Sequence, residues 1–265
     1  MKAPVITLIT DFGLSDEYVG VMKGVIASIN PQATVIDITH HISPQNIIQA
    51  AFILWCSYQY FPKNTIHVVV VDPGVGSHRK IVAIKTNTYF FLSPDNGVLS
   101  FIIKKHDCSC VHVDRSEFFL SNISHTFHGR DIFSPVAAHL SNSMDIYNFG
   151  QSVLPEQLIT IPQITPSFEN NVITGMVIMN DRFGNIISNI SLNHLNQTGI
   201  KPENASIHIG NHHISGIVSH YEQVRKGDLL AILGSKGFLE ISINCGNACE
   251  ALSVQSGCKI FVLKS

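Results

Sequence analysis

The sequence predicts an α/β chain in two parts, an N-terminal layered α/β domain with a mostly parallel sheet and a smaller all-β domain after it. Three observations carry this reading. β-Branched runs alternate with helical stretches through the first half of the chain. One run, residues 66–71 (Ile-His-Val-Val-Val-Val), is almost unbroken and suits a parallel strand buried on both faces. From Val172 onward the apolar segments become short and closely spaced, as in a small β-barrel or sandwich.

Taken in order, residues 5–10 form a β-branched strand that ends in Asp11-Phe12-Gly13. Ser15, Asp16 and Glu17 then offer an N-cap and an acidic first turn to a helix reaching about Ile29. Pro31 interrupts the pattern, residues 33–38 read as a second strand, and Ser43-Pro44 is expected to open a helix with Pro at its favoured first position. Residues 66–71 run straight into Asp72-Pro73-Gly74-Val75-Gly76. Between 152 and 171, Pro155, Pro162 and Pro166 punctuate a polar stretch with no amphipathic period. The expected division is therefore an N-terminal domain over 1–160, a linker over 161–171 and a C-terminal domain over 172–265. In the latter, residues 172–179, 207–209, 229–233, 238–243 and 259–263 read as strands, with Gly234-Ser235-Lys236-Gly237 as a turn.

Composition excludes several classes of function. The 265 residues are 45% hydrophobic and only 14% charged, with a formal net charge of -2, which removes disorder and leaves no electrostatic footprint for nucleic acid. No apolar run reaches the roughly 18 residues needed to span a bilayer, and the apolar stretch before Asp11 is too short for a signal peptide. A soluble protein of the cytoplasm, without membrane or nucleic-acid partners, is expected. The six cysteines lack zinc-knuckle spacing and read as reduced thiols, with a redox or metal role for Cys108 and Cys110 as the alternative.

In an open parallel sheet, ligands bind beyond the carboxyl ends of the strands, and two of the best strands here end at Asp11 and Asp72. Either Asp alone is also ordinary turn chemistry; the coincidence favours a shared site. Arg79, seven positions after Asp72 on a Gly-bent segment, could pair with that carboxylate or converge with it on one ligand. The segment lacks the Lys and Ser/Thr of a phosphate-binding loop. His125 and His128 with Asp131 have metal-ligand character, although Arg130 and Asp131 also fit a solvated first helical turn. His128, at a Gly hinge, is the best general acid/base candidate among 14 histidines. In the second domain, Phe183 and Asn185 place an apolar slab beside an amide, as a flat heterocycle requires. Ser235 and Glu240 lie five positions apart across a turn, and periodicity alone puts Glu240 at the surface.

Six motifs in order, Thr10-Asp11-Phe12-Gly13 with Asp16, Val71 through Gly76, Ser93 through Gly97, Thr126 through Asp131, Asp181-x-Phe183-Gly184-Asn185 and Gly246-Asn247-Ala248, resemble the S-adenosyl-L-methionine hydrolases, or SAM hydroxide adenosyltransferases. The resemblance implies an N-terminal α/β domain, a C-terminal β-barrel, a homotrimer with active sites between subunits, and cleavage of S-adenosylmethionine to adenosine and L-methionine. It places water activation on Asp72, Arg79 and His128. Adenosine contacts are implied for Asp11, Asp72, Phe183, Asn185, Ser235 and Glu240, with the main chain near Ile243. S-Adenosylmethionine is then the substrate, with no further cofactor or metal expected. The related fluorinases and chlorinases carry Tyr where Asp72 stands. A non-catalytic adenosine or S-adenosylmethionine sensor and a halogenase are the competing readings.

Overall fold

The computed structural model describes residues 3–264; Met1, Lys2 and Ser265, which the sequence-based domain limits include, lie outside the described residues. The chain divides into two units at Ile161/Pro162. In the first, β1 (Val5–Thr10) alternates Ile6 and Leu8 with Thr7 and Ile9, and both sets are buried. α1 (Tyr18–Ile29), β2 (Thr34–Thr39), α2 (Ile47–Ser57) and β3 (Ile66–Val70) follow, so the first three strands are linked by helical crossovers and pair in parallel as β2-β1-β3.

Neither helix starts where the sequence placed it. The cap position of α1 is Glu17, with no side-chain cap bond. α2 starts after Asn46, whose side chain accepts from Gln49 N at 3.0 Å, and Pro44 lies ahead of the helix. An Asn cap satisfies an orphan helical N–H directly, which Pro at the first position does not.

β4 (Ile81–Lys85), β5 (Phe90–Pro94), α3 (Ser100–Lys105), β6 (Ser109–Val113), α4 (Ser134–Ser141) and β7 (Gly150–Val153) complete this unit. Its sheet, ordered β2-β1-β3-β5-β4-β6-β7, is parallel from β2 to β5 and antiparallel from β5 to β7, so it is mixed. Only residues 86–89 join β4 to β5, too few for a crossover, and an antiparallel hairpin is the outcome. One face of the sheet packs Ile6, Leu8, Ile66, Val68 and Val70 with Met22 and Ile26 of α1 and Val136, Ala137 and Leu140 of α4. The other face carries Thr7 and His67, whose ring stacks on Phe91 and meets Tyr58 edge-on.

The second unit contains β8 (Ser167–Glu169), β9 (Val172–Asn180), β10 (Ile186–Ser191), α5 (Leu192–Thr198), β11 (Ala205–Ile209), β12 (His212–Ser215), β13 (Leu229–Leu233), β14 (Phe238–Ile243), α6 (Ala248–Leu252) and β15 (Lys259–Lys264). Its strands run β12-β11-β15-β9-β10-β14-β13, with antiparallel neighbours. Beyond β12, Val218 N donates to Ala231 O at 2.8 Å and brings the two ends of the sheet together into a nearly closed barrel. Ile173, Val177, Ile190, Ile207, Ile241 and Val262 fill it. The stretch 161–171, expected as a linker, contains β8, which pairs with β9. Among the described residues no helix is long and apolar enough to cross a membrane.

Candidate active site

β1 and β3 are parallel neighbours with Thr10 opposite Val70, so their carboxyl ends deliver Asp11 and Asp72 to the same rim. A cavity of about 300 Å³ opens there, lined by Asp11, Phe12, Gln45, Asp72, Phe127 and His128. Backbone and side-chain bonds hold the loop after β1: Thr10 Oγ1 lies 2.8 Å from His40 Nδ1, and Gly13 N donates to the His40 carbonyl at 2.8 Å. Asp11 Oδ2 accepts from Gln45 N at 2.8 Å. Gln45 has φ of 65°, a left-handed conformation uncommon outside glycine and found here at the cavity wall. No motif in the sequence marks Gln45.

The Asp72 side chain is 6% exposed and engages Arg79 at both oxygens, with Nε at 3.0 Å from Oδ1 and 2.8 Å from Oδ2, and Nη2 at 2.5 Å from Oδ2. Asn96 Nδ2 donates to the Val71 carbonyl at 2.9 Å and steadies the chain just ahead of Asp72, which gives the Ser93–Gly97 motif its place. The second nitrogen of the same guanidinium, Nη2, stands 2.7 Å from His128 Nδ1. Gly76 makes this meeting possible: its φ is +76°, and a Cβ there would overlap the His125 carbonyl oxygen. The loop bearing Arg79 and the loop bearing His128 thus touch backbone to backbone.

Burial and then the Arg79 charge hold His128 below the usual imidazole range, against Asp72, Asp131 and a bond to the Ser124 backbone. Asp131 is fully buried and corrects its reading as part of a solvated turn. Residues 129–133 form a π-helical turn that runs into α4 and directs Asp131 inward. Its Oδ2 accepts from Ser124 N and Oγ, each at 2.8 Å, and its Oδ1 from Arg130 Nε at 2.6 Å. Burial would raise its carboxyl, but the bonds from Arg130 and Ser124 prevail and hold it below the usual range. His125 is exposed, and among the described residues no three His, Cys, Asp or Glu side chains are placed to hold a cation.

In the second unit, Asp181 organises the turn between β9 and β10. Its Oδ1 accepts from Phe183 N and Asn185 N, and its Oδ2 from Asn185 Nδ2, all at 2.9 Å. Phe183 is left 76% exposed while Asn185 is buried. Gly184, at φ +83°, lies where a side chain would overlap Asn247, which caps α6 by accepting from Glu250 N at 3.1 Å. A pocket of about 470 Å³ is lined by Phe183, Asn185, Tyr221, Ile243, Cys245 and Asn247, an aromatic surface beside amides. Tyr221 comes from a short 3₁₀ turn, and no signal in the sequence singles it out.

Ser235 is exposed in the β13–β14 turn, and neither it nor Glu240 lines that pocket. Glu240 is buried, contrary to its periodicity. It pairs with Ile187 of β10 and Ile232 of β13 and packs over Gly234, and both faces of β14 are covered. Burial pushes its carboxyl above the ordinary range, with Lys236 opposing the shift.

The family model for the SAM hydroxide adenosyltransferase N-terminal domain matches residues 6–150, and that for the C-terminal domain matches residues 175–261. A curated (R)-S-adenosyl-L-methionine hydrolase of Methanocaldococcus jannaschii is 35% identical, over 94% of this chain and 92% of the relative. A fluorinase of an Actinoplanes species is more distant, 21% identical over 99% of this chain and 98% of its own. The crystal structure of an uncharacterized conserved protein from Thermotoga maritima superposes with a TM-score of 0.89 at 36% identity, covering 98% of this chain and all of that one. With both domain models matched across a single chain, the protein belongs to the SAM hydroxide adenosyltransferase family.

Proposed function

We propose that the protein hydrolyses S-adenosyl-L-methionine to adenosine and L-methionine by attack of a water oxygen on the ribose 5′ carbon. The observation that carries this reading is the Asp72–Arg79–His128 cluster beside the cavity at the ends of β1 and β3, in a chain 35% identical to an (R)-S-adenosyl-L-methionine hydrolase.

The substrate is a sulfonium, and its leaving group is a neutral thioether. Positive charge on sulfur disappears as the oxygen attacks, so the reaction gains from a cleft with little water, where the Asp72 and Asp11 carboxylates hold the cation and water is stripped of competing solvent. Attraction to the sulfonium also stabilises the ground state, and only interactions that strengthen toward the transition state raise the rate. The donors that steady the nucleophilic oxygen supply such an interaction. Asp11, with Oδ2 engaged by Gln45, keeps Oδ1 for a sugar hydroxyl. Phe183 supplies a face for adenine, with Asn185 and the Ile243 main chain as polar contacts. The proposed assembly is a cytoplasmic homotrimer with active sites at subunit contacts.

Incubation with S-adenosylmethionine, with and without chloride or fluoride, followed by mass analysis of the nucleoside, tests the proposal. Adenosine and methionine are expected in both arms, unaffected by chelators. Formation of a 5′-halo-adenosine, or calorimetric binding with no methionine released, would overturn it.

A further inference from the structure

We infer that His128 serves this reaction as a hydrogen-bond acceptor that positions Arg79, and that it is not the group that takes the proton from water. The inference rests on the hydrolase reading and assigns a role inside that site. Arg79 Nη2 stands 2.7 Å from His128 Nδ1. A guanidinium offers five N–H donors and no acceptor, and it keeps its charge in a protein. The proton between the two groups therefore belongs to Arg79, and Nδ1 supplies a lone pair. The ring is neutral and carries its single proton on Nε2. One nitrogen is occupied and the other has no lone pair to give, so the imidazole presents no base to water.

The surroundings fit this role. The guanidinium already engages both oxygens of Asp72, and His128 adds a further anchor that sets its plane. The loop behind the ring is fixed in turn: Phe127 N donates to Ser124 Oγ at 3.0 Å, and Ser124 N and Oγ donate to buried Asp131. The charged groups around the imidazole are Arg79 and Asp72 from the segment after β3, and Asp131 with its partner Arg130 from the ring's own segment. Burial and Arg79 disfavour the imidazolium, which keeps Nδ1 free to accept.

Asp72, which lines the cavity beside His128, is left as the proton acceptor. The oxygen–C5′ bond forms as the C5′–S bond breaks, and the electron pair of that bond goes to sulfur to give the methionine thioether. The water proton passes to an Asp72 oxygen and then to solvent. A carboxylate is a weak base, but the attacking oxygen becomes an acidic oxonium as its bond to carbon forms, so a weak base suffices.

Three substitutions in the full-length protein separate the roles. In His128→Asn, Oδ1 takes the place of Nδ1 and can accept from Arg79, whereas His128→Gln places its carbonyl nearer to Nε2 and His128→Ala places nothing. We expect His128→Asn to keep kcat within about tenfold of the parent. His128→Gln and His128→Ala should fall by roughly 100-fold or more at little-changed KM, within the range of a removed catalytic interaction. Equal loss in all three variants would mark His128 as the base and sink the inference. ¹⁵N NMR of the parent ring gives an independent reading that needs no variant: the neutral Nε2–H tautomer is expected, and an Nδ1–H or imidazolium form at neutral pH overturns the assignment. A parent protein that releases no adenosine refutes the hydrolase reading itself, which is a separate outcome from either result at His128.

Discussion

A glycine sets whether the two functional loops of the first unit can meet. At Gly76 the backbone is left-handed, and an added Cβ would run into the His125 carbonyl. Gly76→Ala should cost about 1–3 kcal/mol in stability through strain and displaced backbone. Because the displaced loop carries Arg79 toward His128, turnover should fall well beyond the loss of folded protein. Urea midpoints beside kcat would show it, and a variant with parental turnover would mean that the contact has no part in assembling the pair. Asp11, Asp72 and Arg79 were legible in the sequence, since strand ends and a Gly-bent loop announce them. The role of Gly76 was not, because it depends on a carbonyl 49 positions away. Glu240 misled for a related reason: alternation reports which face of a strand a residue occupies, and it does not report that both faces of β14 are covered.

Within an element, β3 shows what full burial demands of a polar side chain. His67 has no solvent exposure, bonds to Thr7 Oγ1 through Nδ1 at 2.8 Å, and leaves Nε2 unpartnered among Tyr58, Phe61, Tyr89 and Phe91. Burial pushes its pKa down to about 3 from 6.5. The native state thus holds the neutral ring, while the unfolded chain takes up a proton below its ordinary pKa. The stability is complete above about pH 6.5, declines as pH falls and is fully lost below about pH 3, roughly 4–5 kcal/mol at the upper bound. Replacing His67 with Phe should flatten the stability profile across that interval, and a slope like the parent's in chemical denaturation would assign the acid sensitivity to other groups. The unbroken apolar character of this strand was legible in sequence. Helix starts and the parallel-to-antiparallel switch were harder, because they are decided by an Asn46 side-chain bond and by a hairpin of residues 86–89.

At the scale of the whole molecule, a charged fraction of 14% stands beside large apolar side chains left open in the single chain, among them Tyr60 at 77%, Leu154 at 64% and Phe183 at 76% exposure. Contacts between copies of the chain in a symmetric assembly would cover such groups. The proposed homotrimer therefore predicts a mass three times the 29.1 kDa of the chain in light scattering. It also predicts a functional consequence. Where active sites lie at subunit contacts, a dissociated chain has an incomplete site, so specific activity should fall on dilution at the same concentration at which the scattered mass falls. Full activity in a preparation of monomeric mass would exclude shared sites while leaving the hydrolysis of S-adenosylmethionine intact. Parallel loss of mass and activity ties the scarcity of surface charge to the chemistry, since the same contacts that cover the apolar side chains would then complete the site.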